Sequence, residues 1–464
     1  MKVELIGSNG PVSGTMLLID FDGFQNLVDC GLFSGTRAEV LNRNRDLPFE
    51  ASGLHSVLLT RAHLLSSGNL PSLVQAGFSG SIFSTLGTQD LCGAYLRDAA
   101  LAREDEAAYI NARREDSATV KPLYSLDDAE FALYSFNGIA YNRTFHILRD
   151  LCGTFLGAGN MPGSSIVVVD AKTANGDKRL VYAGNLGIDS HPFLSPPSPP
   201  RDVHYLIVKS GIGLKRQEAM AQAENRLAEA IGKTVSAGGK IIVPGRGTGS
   251  GLVLIDAIHR LKKAGRLPEF PIYLDSPFAV NIEEFLRHHG PEFRRPIRDR
   301  LLEEADPFGL KAVHYCRRDA ESKKLQKSDE PALIITPAHN GETGRCVAWL
   351  DACLEDPKNL ILLIEPIYGN TLASHLSKGE KKVRLLDQER EVAANVMECK
   401  ALYCLADQAQ IADYVADLRH ASPKLERVYV IPEFEEPAAE LLETIRSEAK
   451  VSAEILKYGD SFSI

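Results

Sequence analysis

The sequence predicts an α/β protein whose second half carries a parallel, doubly wound sheet. Three observations predict it. From about residue 211 the chain repeats a strand, a glycine-containing loop and a helix. An apolar strand at 56–60 runs into a short loop and then a helical pattern from Asn69. The opening residues alternate as strands do, at 2–6, 14–19 and 25–29, with turns at Asn9-Gly10-Pro11 and Asp22-Gly23.

The elements follow in order. After the loop at 61–68 come a helix, a short strand at 81–83 and a helical tract at 88–113 rich in Ala, Leu, Arg and Glu. Strands are expected at 145–148, 165–170 and 179–182, the last leading into Ala183-Gly184-Asn185-Leu186-Gly187. Ser195-Pro196-Pro197-Ser198-Pro199-Pro200 reads as a stiff surface loop. In the second half, a strand at 240–243 precedes the glycine loop 244–251 and a helix to about 263, and 270–275 is the next strand. A strand at 332–336 precedes His339-Asn340-Gly341-Glu342-Thr343-Gly344-Arg345 and a helix, and one at 359–364 precedes Tyr368-Gly369-Asn370-Thr371. The chain closes with a strand at 427–431 and an acidic helix at 436–450.

At 464 residues the chain exceeds one typical domain. With 44 % hydrophobic and 24 % charged residues it reads as a globular protein, and no apolar run is long enough to span a membrane. The N-terminus has no charged stretch followed by an apolar core, so a cytoplasmic location is expected. The eight cysteines lack C-x-x-C pairing and read as reduced thiols, with Cys30, Cys92 and Cys399 in buried surroundings. A net charge of −9 argues against the broad basic footprint of a general nucleic-acid binder, though not against a local basic groove.

The loop Thr60-Arg61-Ala62-His63-Leu64-Leu65-Ser66-Ser67-Gly68 resembles the Thr-His-x-His-x-Asp-His-x-Gly signature of the metallo-β-lactamase superfamily, which supplies ligands of a dinuclear zinc site. Leu27-Val28-Asp29-Cys30-Gly31-Leu32-Phe33-Ser34-Gly35 resembles its first motif. Leu96-Arg97-Asp98-Ala99-Ala100 with Tyr109-Ile110-Asn111-Ala112-Arg113, and Asp275-Ser276-Pro277-Phe278-Ala279, are similar to signatures of the β-CASP branch, which comprises RNA-processing nucleases. The resemblance covers nearly the whole chain. It implies an αββα sandwich in two parts, 1–210 and 378–464, with a β-CASP domain inserted at 211–377.

At the catalytic positions the chain departs from the family. Of the four ligand positions in the first loop only His63 remains, with Arg61, Leu65 and Ser66 at the others. Asn160 and Asn185 stand where the family has a histidine and a metal-bridging aspartate, and Lys209 stands where it has an acid. The histidine expected after Gly344-Arg345 falls on Ala348 or Trp349, and that of the last motif on Leu405. A hydrolytic zinc site needs at least three N, O or S ligands and an open position for water. Leu65 and Leu405 cannot coordinate, and Arg61 and Lys209 repel a cation. No zinc, no other cofactor and no catalytic residue are therefore expected.

His63 reads either as a residual ligand or as a loop hydrogen-bonding side chain, the latter preferred without partners. Asp29 reads as a residue that orients its loop. Arg61 and Lys209 either hold anionic phosphate or pair with nearby acids. The loop 245–251, with Arg246, would present backbone N–H groups at a helix N-terminus and reads either as a phosphate or nucleotide site or as a tight turn with no ligand, the commoner case. Gly344 and Arg345 keep the part of the pattern that in active relatives lies along the RNA backbone, so Arg345 reads either as a phosphate contact or as a surface salt bridge. Basic runs at 294–300 and 378–384 read as groove linings or as solvated faces.

The leading expectation is a pseudoenzyme in RNA processing that binds RNA, pairs with an active β-CASP nuclease, or self-associates as a dimer. The alternatives are an exonuclease, endonuclease or other hydrolase with a relocated or metal-independent site, and a purely structural subunit of a complex.

Overall fold

Alternate residues of the central strands are apolar on both faces, and this sets the layering. In Ser165–Thr173, Ile166 and Val168 face one core while Val167 and Val169 face another, and Leu206 with Val208 and Ile207 divide in the same way. Strands buried on both faces belong in the middle of a layered structure. The computed structural model describes residues 1–7, 14–33, 43–113, 119–174, 176–213, 215–338, 344–367, 369, 371–385 and 388–464. The turn 9–11, the motif end Ser34-Gly35, residues 339–343, Tyr368 and Asn370 lie outside them.

The chain divides into two units, one of 1–96, 123–217 and 405–464, the other of 97–122 and 218–404. Among the described residues the first unit holds two seven-stranded mixed sheets. One runs in the order Ser461–Ser463, Lys2–Leu5, Leu17–Phe21, Phe24–Val28, Leu54–Leu58, Ser81–Thr85, Phe136–Ile139. The other runs Ser452–Ile455, Arg427–Ile431, Tyr205–Lys209, Gly176–Tyr182, Ser165–Thr173, Leu151–Gly157, Thr144–Leu148. Val3, Leu17, Ile19, Val28 and Leu58 of the first sheet share a core with Phe155, Val167, Tyr182, Ile207 and Ile431 of the second. The helices Gln408–Ala421 and Glu435–Glu448 cover the second sheet's far face through Ile411, Val415, Leu418, Leu441 and Ile445. This is the expected αββα sandwich.

Among the described residues the second unit holds a sheet of six parallel strands in the order Val313–Cys316, Ile272–Asp275, Leu333–Thr336, Ile241–Pro244, Leu360–Leu363, Asn395–Glu398. Helices such as Met220–Ser236, Ser250–Lys263 and Arg345–Cys353 connect or cover them. The unit ends at Cys404, not near 377, because Asn395–Glu398 pairs in parallel with Leu360–Leu363. It also includes 97–122, the end of the helix Leu86–Asn111 and the residues beyond it. Among the described residues no helix is long and apolar enough to cross a membrane.

Candidate functional site

In the first unit, the residues singled out by sequence follow the carboxyl ends of parallel strands, where α/β sheets gather their loops. Thr60 and Arg61 follow Leu54–Leu58, Asn185 follows Gly176–Tyr182, and Lys209 ends Tyr205–Lys209. One further strand, Arg427–Ile431, pairs with Tyr205–Lys209 in the register Lys209 to Ile431 and delivers Glu433. Glu433 escapes a motif reading; its signal is its place just beyond that strand.

The buried Lys209 ammonium donates to Glu433 Oε1 at 2.8 Å and to Asn185 Oδ1 at 3.4 Å. Asn185 Nδ2 donates to the same Glu433 oxygen at 3.4 Å, and Asn160 Nδ2 donates to the Asn185 carbonyl. The Glu433 amide donates to Ser210 Oγ at 2.9 Å. Burial pushes the Glu433 carboxyl up, but Lys209, Arg61 and Asn185 together more than offset this and hold it below the usual carboxylate value. Among the described residues Glu433 Oε2 and Asn160 Oδ1 have no hydrogen-bond partner.

Arg61 is 6 % exposed and its Nε donates to Ser66 Oγ at 3.3 Å. His63 caps the short helix Leu64–Ser67, its Nδ1 accepting the Leu65 N–H at 3.2 Å. Leu65 is buried, its carbonyl taking the Thr15 N–H at 3.0 Å, and Leu405 is buried in a bridge with Gly187. Asp29 sits at φ 61°, and its carboxylate accepts both the Thr60 N–H at 2.8 Å and the Thr60 hydroxyl.

Burial raises the Asp29 carboxyl from 3.8 to about 6, against the Thr60 hydrogen bonds and the charges of Arg61 and Lys209. The folded state therefore binds this proton more tightly than the unfolded chain. The associated stability is fully present below pH 3.8 and lost as the pH rises through about 6. The loss amounts to about 3 kcal/mol at 1.36 kcal/mol per pKa unit. Asp29→Asn is expected to remove that slope, so denaturation midpoints from pH 4 to 7 should favour the variant progressively over the wild type; parallel curves would contradict it.

These residues do not fit a zinc centre. Two of the family's ligand positions are leucines, another holds the cation Arg61 with Lys209 where the family has an acid, and the Nδ1 of His63 and the carboxylate of Asp29 are spent on backbone and hydroxyl groups. Among the described residues no three His, Cys, Asp or Glu side chains group closely enough to hold a metal ion. The arrangement pairs two fixed cations with Glu433 and Asp29.

In the second unit, the residues proposed for phosphate are held by the protein. Arg345 is largely buried and donates to Asp275 Oδ1 at 2.7 Å, the Cys316 carbonyl at 3.0 Å, the Arg317 carbonyl at 2.9 Å and Asp319 Oδ1 at 2.5 Å. The fully buried Asp275 also accepts the Trp349 indole N–H at 2.6 Å and the Ser322 hydroxyl at 2.5 Å. Trp349, one of two positions where the family's histidine was expected, thus presents a donor that cannot accept a proton. Gly344 begins the helix Arg345–Cys353 at φ 63°, a conformation that favours glycine. Arg246 lies 3.8 Å from Asp98, its backbone N–H donates to Glu365 Oε1 at 3.3 Å, and Gly249 at φ 64° begins the helix Ser250–Lys263. With Asp98 and Glu365 beside it, that loop is lined by carboxylates as well as by N–H groups.

The comparisons with known proteins bear on the whole chain. The Beta-Casp domain family matches residues 252–376. Ribonuclease TTHA0252 of Thermus thermophilus is 26 % identical over 416 residues, covering 89 % of this chain and 90 % of its own. Transcription termination factor FttA of Methanothermobacter thermautotrophicus is 24 % identical over 443 residues, 92 % of this chain and 66 % of its own. The FttA of Pyrococcus horikoshii is 27 % identical over 391 residues, 82 % and 57 % respectively, so part of each FttA protein has no counterpart here. Among solved structures, MEM-A1, a subclass B3 metallo-β-lactamase from a soil metagenome library, aligns at 14 % identity over 49 % of this chain and 82 % of its own, with a TM-score of 0.29. A two-sheet sandwich interrupted by a parallel-sheet unit, the Beta-Casp match within that unit and relatives aligned along most of its length support the likeness of this chain to the β-CASP branch of the metallo-β-lactamase superfamily.

Proposed function

We propose that this protein binds RNA and does not hydrolyse it at the lactamase-type centre. The observation that carries the second half is the buried Lys209–Glu433 pair at 2.8 Å, an ammonium already neutralised among the loops that would have to supply a hydrolytic centre's ligands. The first half rests on relatives named as a ribonuclease and as transcription termination factors. Because Arg61 and Lys209 are buried and Arg345 is half-buried and held by four acceptors, RNA contacts fall on exposed basic residues, such as Arg295 and Arg298 of the helix Arg295–Glu303 or Lys378 and Lys381.

The test is fluorescence anisotropy with a labelled single-stranded RNA across a salt series, with cleavage followed on the same samples with and without added zinc or manganese. Binding without cleavage is expected. Arg295→Glu with Arg298→Glu should weaken binding and flatten the slope of log K against log salt by about 0.7 per lost contact. Metal-dependent cleavage abolished by His63→Ala would overturn the reading, as would an affinity indifferent to salt.

A further inference from the structure

Arg61 and Lys209 invite the reading that their charges await a phosphate, yet Lys209 is only 3 % exposed and already neutralised. An anion could reach it only by displacing Glu433, itself 6 % exposed and anchored through its amide to Ser210. We infer that the Lys209 ammonium, supported by Arg61, is the resident cation of the first unit: it closes the carboxyl end of the sheet electrostatically, in place of a bound ion. The inference goes beyond RNA binding and stands whether or not RNA is bound.

The geometry gives the ammonium an organising position. Lys209 and Ile431 are partners in adjacent parallel strands, so Glu433 emerges two residues beyond the register position of the lysine. The ammonium bonds the Glu433 carboxylate and the Asn185 side-chain oxygen at once, while the Asn185 amide nitrogen donates to the same Glu433 oxygen. Asn160 then holds the Asn185 carbonyl. One positive charge thereby ties together the loops after three strands, which is what a metal ion bridging the same loops would do. Arg61 adds a second positive charge whose field acts on both Glu433 and Asp29. Replacing a ligand set by fixed cations keeps the charge balance of such a centre and removes its dependence on ion supply.

The experiment uses the full-length protein and the variants Lys209→Met, Glu433→Gln and the double variant. Thermal unfolding is followed by calorimetry, with Trp349 fluorescence reporting separately on the second unit. Lys209→Met is expected to lower the first unit's transition by on the order of 5–10 °C, because it strands a buried carboxylate. The double variant should recover at least half of that loss, as coupled partners do. Lys209→Ala should regain several degrees with n-propylammonium, about as long as the missing group, whereas the wild type should not respond. If Lys209→Met fails to fold, a folded double variant supports the inference and an unfolded one overturns it. Strictly additive single-variant losses would overturn it too, as would a wild-type transition raised by stoichiometric zinc and lowered by a chelator; loss of RNA binding alone would leave it intact.

Discussion

Replacing Arg345 with methionine is expected to destabilise the second unit by about 3–5 kcal/mol, the range for breaking a buried ion pair from one side. Methionine restores much of the hydrocarbon but no charge. Asp275, at the end of Ile272–Asp275, would keep only neutral donors, among them Trp349, Ser322 and the Cys316 thiol, and the carbonyls of Cys316 and Arg317 would lose the guanidinium, the former keeping the Ser276 N–H. The sole tryptophan of the chain is the reporter, since its indole N–H is bonded to the affected carboxylate. Its emission should shift in the native state, and its urea midpoint should fall. Adding Asp275→Asn should restore part of the stability. A loss below about 1 kcal/mol would mean that solvent screens the pair as it does at a surface.

Gly187→Ala is expected to cost about 3 kcal/mol or more, the upper end of overpacking. A methyl group at Gly187 would lie 2.0 Å from the Gly159 carbonyl oxygen and 2.6 Å from the Asn160 nitrogen, all backbone atoms that cannot rotate aside. The clash forces apart the loops that carry Asn160 and Asn185, so stability of the first unit and the order of the candidate site should fail together. Gly53→Ala is the control, with nothing within 4 Å of the added carbon. Equal urea midpoints for the two variants would show that the loops part freely.

The strands that could be read from sequence were those with unbroken apolar runs, including Ile241–Pro244, Leu333–Thr336 and Arg427–Ile431. Leu151–Gly157 escaped because two of its seven residues are glycines, which weaken the alternating pattern. Its Gly153 is covered by the ring of Phe145 from the paired strand, a cross-strand contact that composition does not display. The helix Leu126–Tyr134 did have a local signal, the reciprocal Ser125 and Asp128 cap. The return to the first unit was placed too early because the strand Asn395–Glu398 is short and polar, and only its pairing assigns it to the parallel sheet.

The sequence by itself determined which donors the centre lacks, since Leu65 and Leu405 are apolar in any fold and Arg61 and Lys209 are cations in any fold. It also announced the α/β class and the parallel sheet of the second half, because strand periodicity and strand-loop-helix order are local properties, while the sandwich of the first unit was implied by the family resemblance. Tertiary structure alone decided what those cations do. Lys209 meets Glu433 across 224 residues, and Arg345 meets Asp275 across 70. Such partners are chosen by strand order and register, which bring distant strand ends side by side. A buried charge then takes whichever counter-charge that packing delivers, because leaving it unpaired in a low-dielectric interior is too unfavourable for the fold to persist.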